Sequence, residues 1–153
     1  MAAPTARFRH QAGQDWLLTC APYPAAAAHA WDVEEFGEIP SGPLWRVVEA
    51  PLVESLSAIQ RIGPARVGPI LGNVRLDTAW WLLPPELGDD LDDVRGFTVR
   101  PAGWSLRCPP VLHSVHGRWW IERPDGSGRL TDPVLLAAAF GPGGYRHSAE
   151  ALG

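Results

Sequence analysis

Apolar positions along this chain change period several times, and each change marks an element. Residues 44–48 (LWRVV) form an apolar run between a Ser41-Gly42-Pro43 turn and Pro51, which predicts a buried strand. From Pro51 the period lengthens. Leu52, Val53, Leu56 and Ile59 fall on one helical stripe, Glu54 and Arg61 suit the two ends of the macrodipole, and Gly63-Pro64 stops the helix after about Ile62. Apolar runs return at 67–71 and 78–83, joined by a turn around Gly72-Asn73 and ended by Pro84-Pro85, whose missing donors stop a ladder. Residues 34–39, 97–100, 104–108 and 118–122 form further candidate strands. Asp132-Pro133 then opens a closing helix that buries Leu135, Leu136, Ala139 and Phe140 before Gly141-Pro142. The first 30 residues carry the weakest pattern: DWLLTC (15–20) fits a short strand and PYPAAAAHA a proline-bounded loop.

This order predicts an α+β fold, with a small mixed or antiparallel sheet and flanking helices. Residues 31–142 form one domain, preceded by an N-terminal segment, 1–30, and followed by a flexible tail, 143–153. A chain of 153 residues can bury roughly 70% of its unfolded surface and needs no staples.

Composition narrows the function classes. With 46% hydrophobic and 20% charged residues and eight Trp, the chain is globular in type. No apolar run approaches membrane-spanning length, and the start lacks an apolar signal core, so a cytoplasmic location with Cys20 and Cys108 as free thiols is expected. All 13 basic residues are Arg, which GC-rich codon usage explains alongside the abundant Ala, Gly and Pro. The net charge of −4 leaves no general basic excess for a nucleic-acid duplex, only room for a local Arg stripe.

Residues 96–121, GFTVRPAGWSLRCPPVLHSVHGRWWI, give strand, Gly turn, strand, Pro-Pro stop and aromatic strand. This stretch resembles the closing half of bifunctional DNA primase/polymerase (Prim-Pol) N-terminal domains, g-v-D-v-r-g-d-G-G-y-v-v-a-P-P followed by a loop and an aromatic strand. Residues 44–49 resemble that family's hydrophobic strand ending in D-x-D, and GPILGNVRLDTAWWLLPP (68–85) resembles its t-p-s-G-G-x-H-l-y-f-x-x-P hairpin. LRCPP (106–110) is similar to v-x-a-P-P, and RWWIERPDGSGRLTDPVLL to the aromatic strand, loop and closing segment. The resemblance spans about residues 34–140 and implies a truncated Prim-Pol-like core, most similar to short, degenerate actinobacterial members.

The resemblance also implies a chemistry from which this chain departs. Two-metal nucleotidyl transfer needs carboxylates that hold the ions a few ångström apart. The family's first-strand acids fall around Arg46 and Glu49, its triphosphate-binding His at Thr78 or Ala79, and its third acid at Thr98. One acid at most survives, and an Arg at this position repels a divalent ion. The expectation is therefore a Prim-Pol-like pseudoenzyme, with no catalytic residues, metal or cofactor, acting as a non-catalytic binding or regulatory module. The alternative is an active primase/polymerase-type nucleotidyltransferase with magnesium and a remodelled site of Glu49, Asp77 and another acid, or an unrelated activity grafted onto the sheet.

For binding, Trp80-Trp81 and Trp119-Trp120 each place neighbouring indoles on opposite sheet faces. A helix over the second face would make all four core. An open face would make indoles such as Trp81 and Trp120 a platform for a protein partner or for single-stranded bases. Arg75, Arg100, Arg107 and Arg118 surround the same strands and would form a phosphate groove if they shared a face. Asp77 is either a carboxylate partner for Glu49 or a surface acid beside Arg75. Net acidity favours a protein partner over a nucleotide or single-stranded nucleic acid, and no membrane. Ser114-Val115-His116 lies too late for a nucleophile motif; Cys108, His113 and His116 lack a further ligand for zinc; Asp89, Asp90, Asp92 and Asp93 lack the Gly and terminal Glu of a calcium loop.

Overall fold

The computed structural model describes residues 2–140, with side chains from Phe8 onward. Its elements run α1 (Ala2–Cys20), α2 (Pro24–Asp32), β1 (Gly37–Pro40), β2 (Arg46–Pro51), α3 (Leu52–Ile62), a 3₁₀ turn (Pro64–Arg66), β3 (Ile70–Asn73), β4 (Thr78–Leu83), β5 (Thr98–Val99), β6 (Ser105–Cys108), β7 (Arg118–Glu122) and α4 (Pro133–Phe140). Five strands form one sheet in the order β5-β2-β4-β3-β7, and β1 pairs with β6 in a separate ribbon. Every pairing is antiparallel, so the fold is α+β without a mixed sheet. Among the described residues no helix is long and apolar enough to cross a membrane.

Alternation along the strands divides the core into two layers. Val48, Ala50, Ile70, Ala79, Trp81 and Leu83 pack against Ala58, Ile59 and Ile62 of α3 and Leu136, Ala139 and Phe140 of α4. Their neighbours Val47, Leu71, Trp80, Leu82 and Trp120 face the opposite way, onto Ile39, Leu106 and Cys108 of the ribbon, Leu17 of α1 and Trp31 of α2. A sheet buried on both faces reads as continuous apolar runs, which is why 78–83 shows no polar alternation.

The N-terminal segment differs most from expectation. The DWLLTC strand is helical, in α1, and the PYPAAAAHA loop is helical from Pro24 onward, in α2. Four consecutive Ala residues are strong helix formers, and Pro24 occupies the first turn, where its missing N–H costs nothing, instead of bounding a loop. Within α1, Gly13 lets the backbone approach the Pro124 carbonyl so closely that a Cβ there would overlap it. Leu17 of α1 and Trp31 of α2 pack with the ribbon residues Ile39, Leu106 and Cys108. The tail at 143–153 lies outside the described residues.

Three smaller differences follow, and in the first two a polar or small residue takes an interior position. On α3 the buried face is Leu52, Ser55, Ala58, Ile59 and Ile62, while Val53 and Leu56 are exposed. Ser55 is inside because its Oγ accepts the Trp81 indole N–H at 3.0 Å. Gly72 and Asn73 lie in β3, not in a turn; the turn is 74–77 and ends on Asp77 at φ 49°. Trp45 is buried but precedes β2, and Leu44 is exposed. By contrast β4, β7 and the start of α4 match expectation, including Asp132 Oδ1 accepting the Val134 N–H at 2.8 Å.

Gly72 faces Trp119 across the β3–β7 pair. A Cβ built there would lie 2.6 Å from Ile121 Cδ1 and 3.2 Å from Trp119 Cη2. Gly72→Val is expected to lower stability by about 1–3 kcal/mol in urea denaturation, as overpacking does. An unchanged midpoint would show that β7 does not seat against β3 as described.

Candidate functional site

Glu49 occupies the middle of β2, directly across from Trp80 of β4 on one side and Thr98 of β5 on the other. The three strands therefore bring together the positions that the Prim-Pol resemblance picks out. What surrounds the carboxylate is cationic and aromatic. Arg100 donates from Nε to Glu49 Oε1 at 3.0 Å and from Nη2 to Oε2 at 2.9 Å, a bidentate fork. Trp80 Nε1 donates to Oε1 at 3.0 Å. The Glu49 and Arg100 side chains are 20% and 35% exposed, so the pair sits at the margin of the core.

The other arginines extend this arrangement. Arg118 lies over the Trp80 ring at 4.1 Å and the Phe36 ring at 5.2 Å, and its Nη1 donates to the Arg107 carbonyl at 2.9 Å. Partial burial lowers the Arg118 pKa, and Arg107 adds to the fall against the opposing effects of Cys108 and Glu49. Arg100 also stacks on Trp104 at 5.0 Å. Arg46 leaves Glu49 alone and donates twice to the Arg100 carbonyl, at 3.2 and 2.9 Å, which fixes the backbone carrying the fork. Arg107 is exposed and lies 4.0 Å from Glu38 across the ribbon. Arg100 and Arg118 thus turn donors on the protein itself, while the Arg107 side chain is exposed beside Glu38.

A divalent ion does not fit this donor set. The carboxylate has three donors on it, Thr98 opposite it carries no acid, and among the described residues no three His, Cys, Asp or Glu side chains gather closely enough to hold an ion. Asp77 lies in the β3–β4 turn, where its carbonyl accepts the Leu52 N–H at 3.1 Å, while Glu49 is partnered by Arg100 and Trp80. Trp81 is fully buried and Trp120 is 3% exposed, so neither forms a platform. Their indole N–H groups are spent on Ser55 and on the Pro109 carbonyl.

An open concavity lies elsewhere, between the 74–77 turn and the loop before β7, with a volume of about 770 Å³. Of the candidate residues it takes Arg75 and the edge of Trp120; Arg123, His113, Asn73 and Trp119 complete its chemistry. Arg123 escaped the sequence reading because it follows β7, although Arg118 and Arg123 bracketing WWIE was a visible signal. His116 touches the same groove, pairs with Glu35 at 3.2 Å and meets the Phe36 ring edge-on at 5.4 Å.

No family model, curated protein or solved structure matches the chain.

Of the two free thiols, Cys108 is buried and Cys20 half-buried. Burial pushes the Cys108 thiol well above its usual range against the opposing pull of Arg118, and burial raises Cys20 against its hydrogen bonds with Trp45 and Thr19. Only the thiolate reacts with disulfide reagents. At neutral pH the native protein is expected to resist dithionitrobenzoate and to release two thiols in denaturant; fast labelling of Cys108 in the native protein would contradict its burial.

Proposed function

We propose that this chain is a non-catalytic binding or regulatory module, on a scaffold related to the Prim-Pol core, in which the position of a metal-holding acid serves packing instead. The observation that carries the reading is the Glu49 carboxylate, forked by Arg100 and capped by the Trp80 indole. A metal-binding carboxylate must keep lone pairs for the ion, and a carboxylate offers about four acceptor sites in all. Three donors on Glu49, with Arg118 stacked on Trp80 behind it, leave a site in which positive charge is already supplied by the protein. A magnesium ion would have to displace a bidentate arginine and then find a further carboxylate, which the neighbouring Thr98, Trp80 and Arg118 do not provide.

The expected function is recognition, carried out on a surface other than the Glu49 cluster. The aromatic-platform argument for a protein partner loses its basis once Trp81 and Trp120 are buried.

Primer extension on single-stranded DNA with magnesium or manganese tests the reading directly. The expected result is incorporation no higher than that of Glu49→Ala. Incorporation that disappears in Glu49→Ala would overturn it and restore the remodelled-enzyme alternative.

A further inference from the structure

The 770 Å³ groove beside β7 falls within the size range of small-ligand clefts, roughly 300–1,000 Å³. Its lining combines two chemistries. Arg75, Arg123 and His113 contribute donors, and no Asp or Glu is among the lining residues. In a chain of net charge −4 this is a local reversal of sign. Trp119 supplies an aromatic surface, flanked at the mouth by Val74 and Leu112, which are 70% and 58% exposed.

The chain builds this arrangement deliberately. Asn73 is nearly buried at the end of β3, its Oδ1 accepts the Leu76 N–H at 3.1 Å and so shapes the turn that carries Arg75. Gly72, opposite Trp119, leaves room for the indole to lie close over β3. On the far wall Arg123 Nε donates to the Val111 carbonyl at 3.1 Å, which anchors the guanidinium against the loop. Acids outside the lining include Asp77, on the same turn as Arg75, Glu35, paired with His116, and Glu122, whose pKa burial raises and Arg123 lowers.

We propose that this groove holds a nucleotide unit, free or within a single strand, with phosphate taken by Arg75 and Arg123 and the base set against Trp119. Cations that track phosphate beside an aromatic face are what single-strand recognition requires, and stacking tolerates any base. An acidic peptide would use the cations and leave the aromatic wall unused. Binding here deepens the binding-module reading at a site apart from Glu49, so primer extension and equilibrium binding can fail independently.

The test is fluorescence anisotropy with a labelled oligothymidylate of about ten nucleotides, paired with calorimetric titration of adenosine monophosphate. Arg75→Ala, in an exposed turn, leaves the core intact, whereas Trp119→Ala removes the stacking face; Arg95→Ala, on an exposed loop outside the groove, is the control. Oligothymidylate is expected to bind, about tenfold more weakly in Arg75→Ala and in Trp119→Ala, and unchanged in Arg95→Ala. Two phosphate contacts predict a log–log salt slope of about −1.4. Comparable affinity for the monophosphate would identify a free nucleotide as ligand, and much tighter oligonucleotide binding a strand. Absence of binding to both, binding indifferent to Arg75→Ala, or competition by polyglutamate or inorganic polyphosphate equal to that of the oligonucleotide would overturn the proposal.

Discussion

Neighbouring tryptophans on one strand cannot share a face, so Trp80 and Trp81 commit the central strand to an apolar cover on both sides. Most of the architecture follows from that constraint. Trp81 points to α3 and α4, where it meets Phe140 at 6.1 Å edge-on and gives its N–H to Ser55. Trp80 points the other way, beneath the ribbon and the N-terminal helices. A buried indole N–H needs an acceptor, because leaving one unpaired costs about 1–3 kcal/mol. For Trp80 that acceptor is Glu49. A half-buried carboxylate in turn needs a positive partner, which Arg100 supplies, and Arg46 fixes Arg100 through its carbonyl. Among the described residues no buried side-chain polar atom is left without a partner.

The same sequence of requirements sets what the sheet can do. A carboxylate recruited to satisfy an indole and a guanidinium has little capacity left for a metal ion. Positive charge near it is abundant yet inward-turned, through stacking of Arg118 on Trp80 and Phe36 and of Arg100 on Trp104. Such cation–aromatic contacts, each worth about 0.5–2 kcal/mol, favour a rigid and well-packed surface over a solvated groove. The open groove lies on the β7 side, where Arg75 stands on an exposed turn and Trp119 remains half-buried.

Local pattern made the centre of the fold legible. TAWWLL between turn residues and a Pro-Pro stop marked a strand, while the cover on its second face stayed open until the helices were placed, and Asp132-Pro133 carried a helix-start signal. The N-terminal helices were obscured by their own composition: prolines at 22 and 24 read as breaks, although one of them starts α2. The α3 face was misjudged because apolar count alone ignores Ser55, whose burial is explained only by a tryptophan 26 positions later in the chain. Of the site, the relevant strands and Glu49 were visible. The Arg100 fork was not, since which arginine reaches a carboxylate depends on the β2–β5 register and not on spacing in the chain.

Glu49 is partnered in the fold by Arg100. A double-mutant cycle with Glu49→Ala and Arg100→Ala, read by urea denaturation, measures that coupling directly. A favourable coupling of about 1 kcal/mol, reduced from a fully buried value by partial exposure, is the predicted result. Zero coupling, together with a magnesium-dependent gain in stability that Glu49→Ala abolishes, would contradict it.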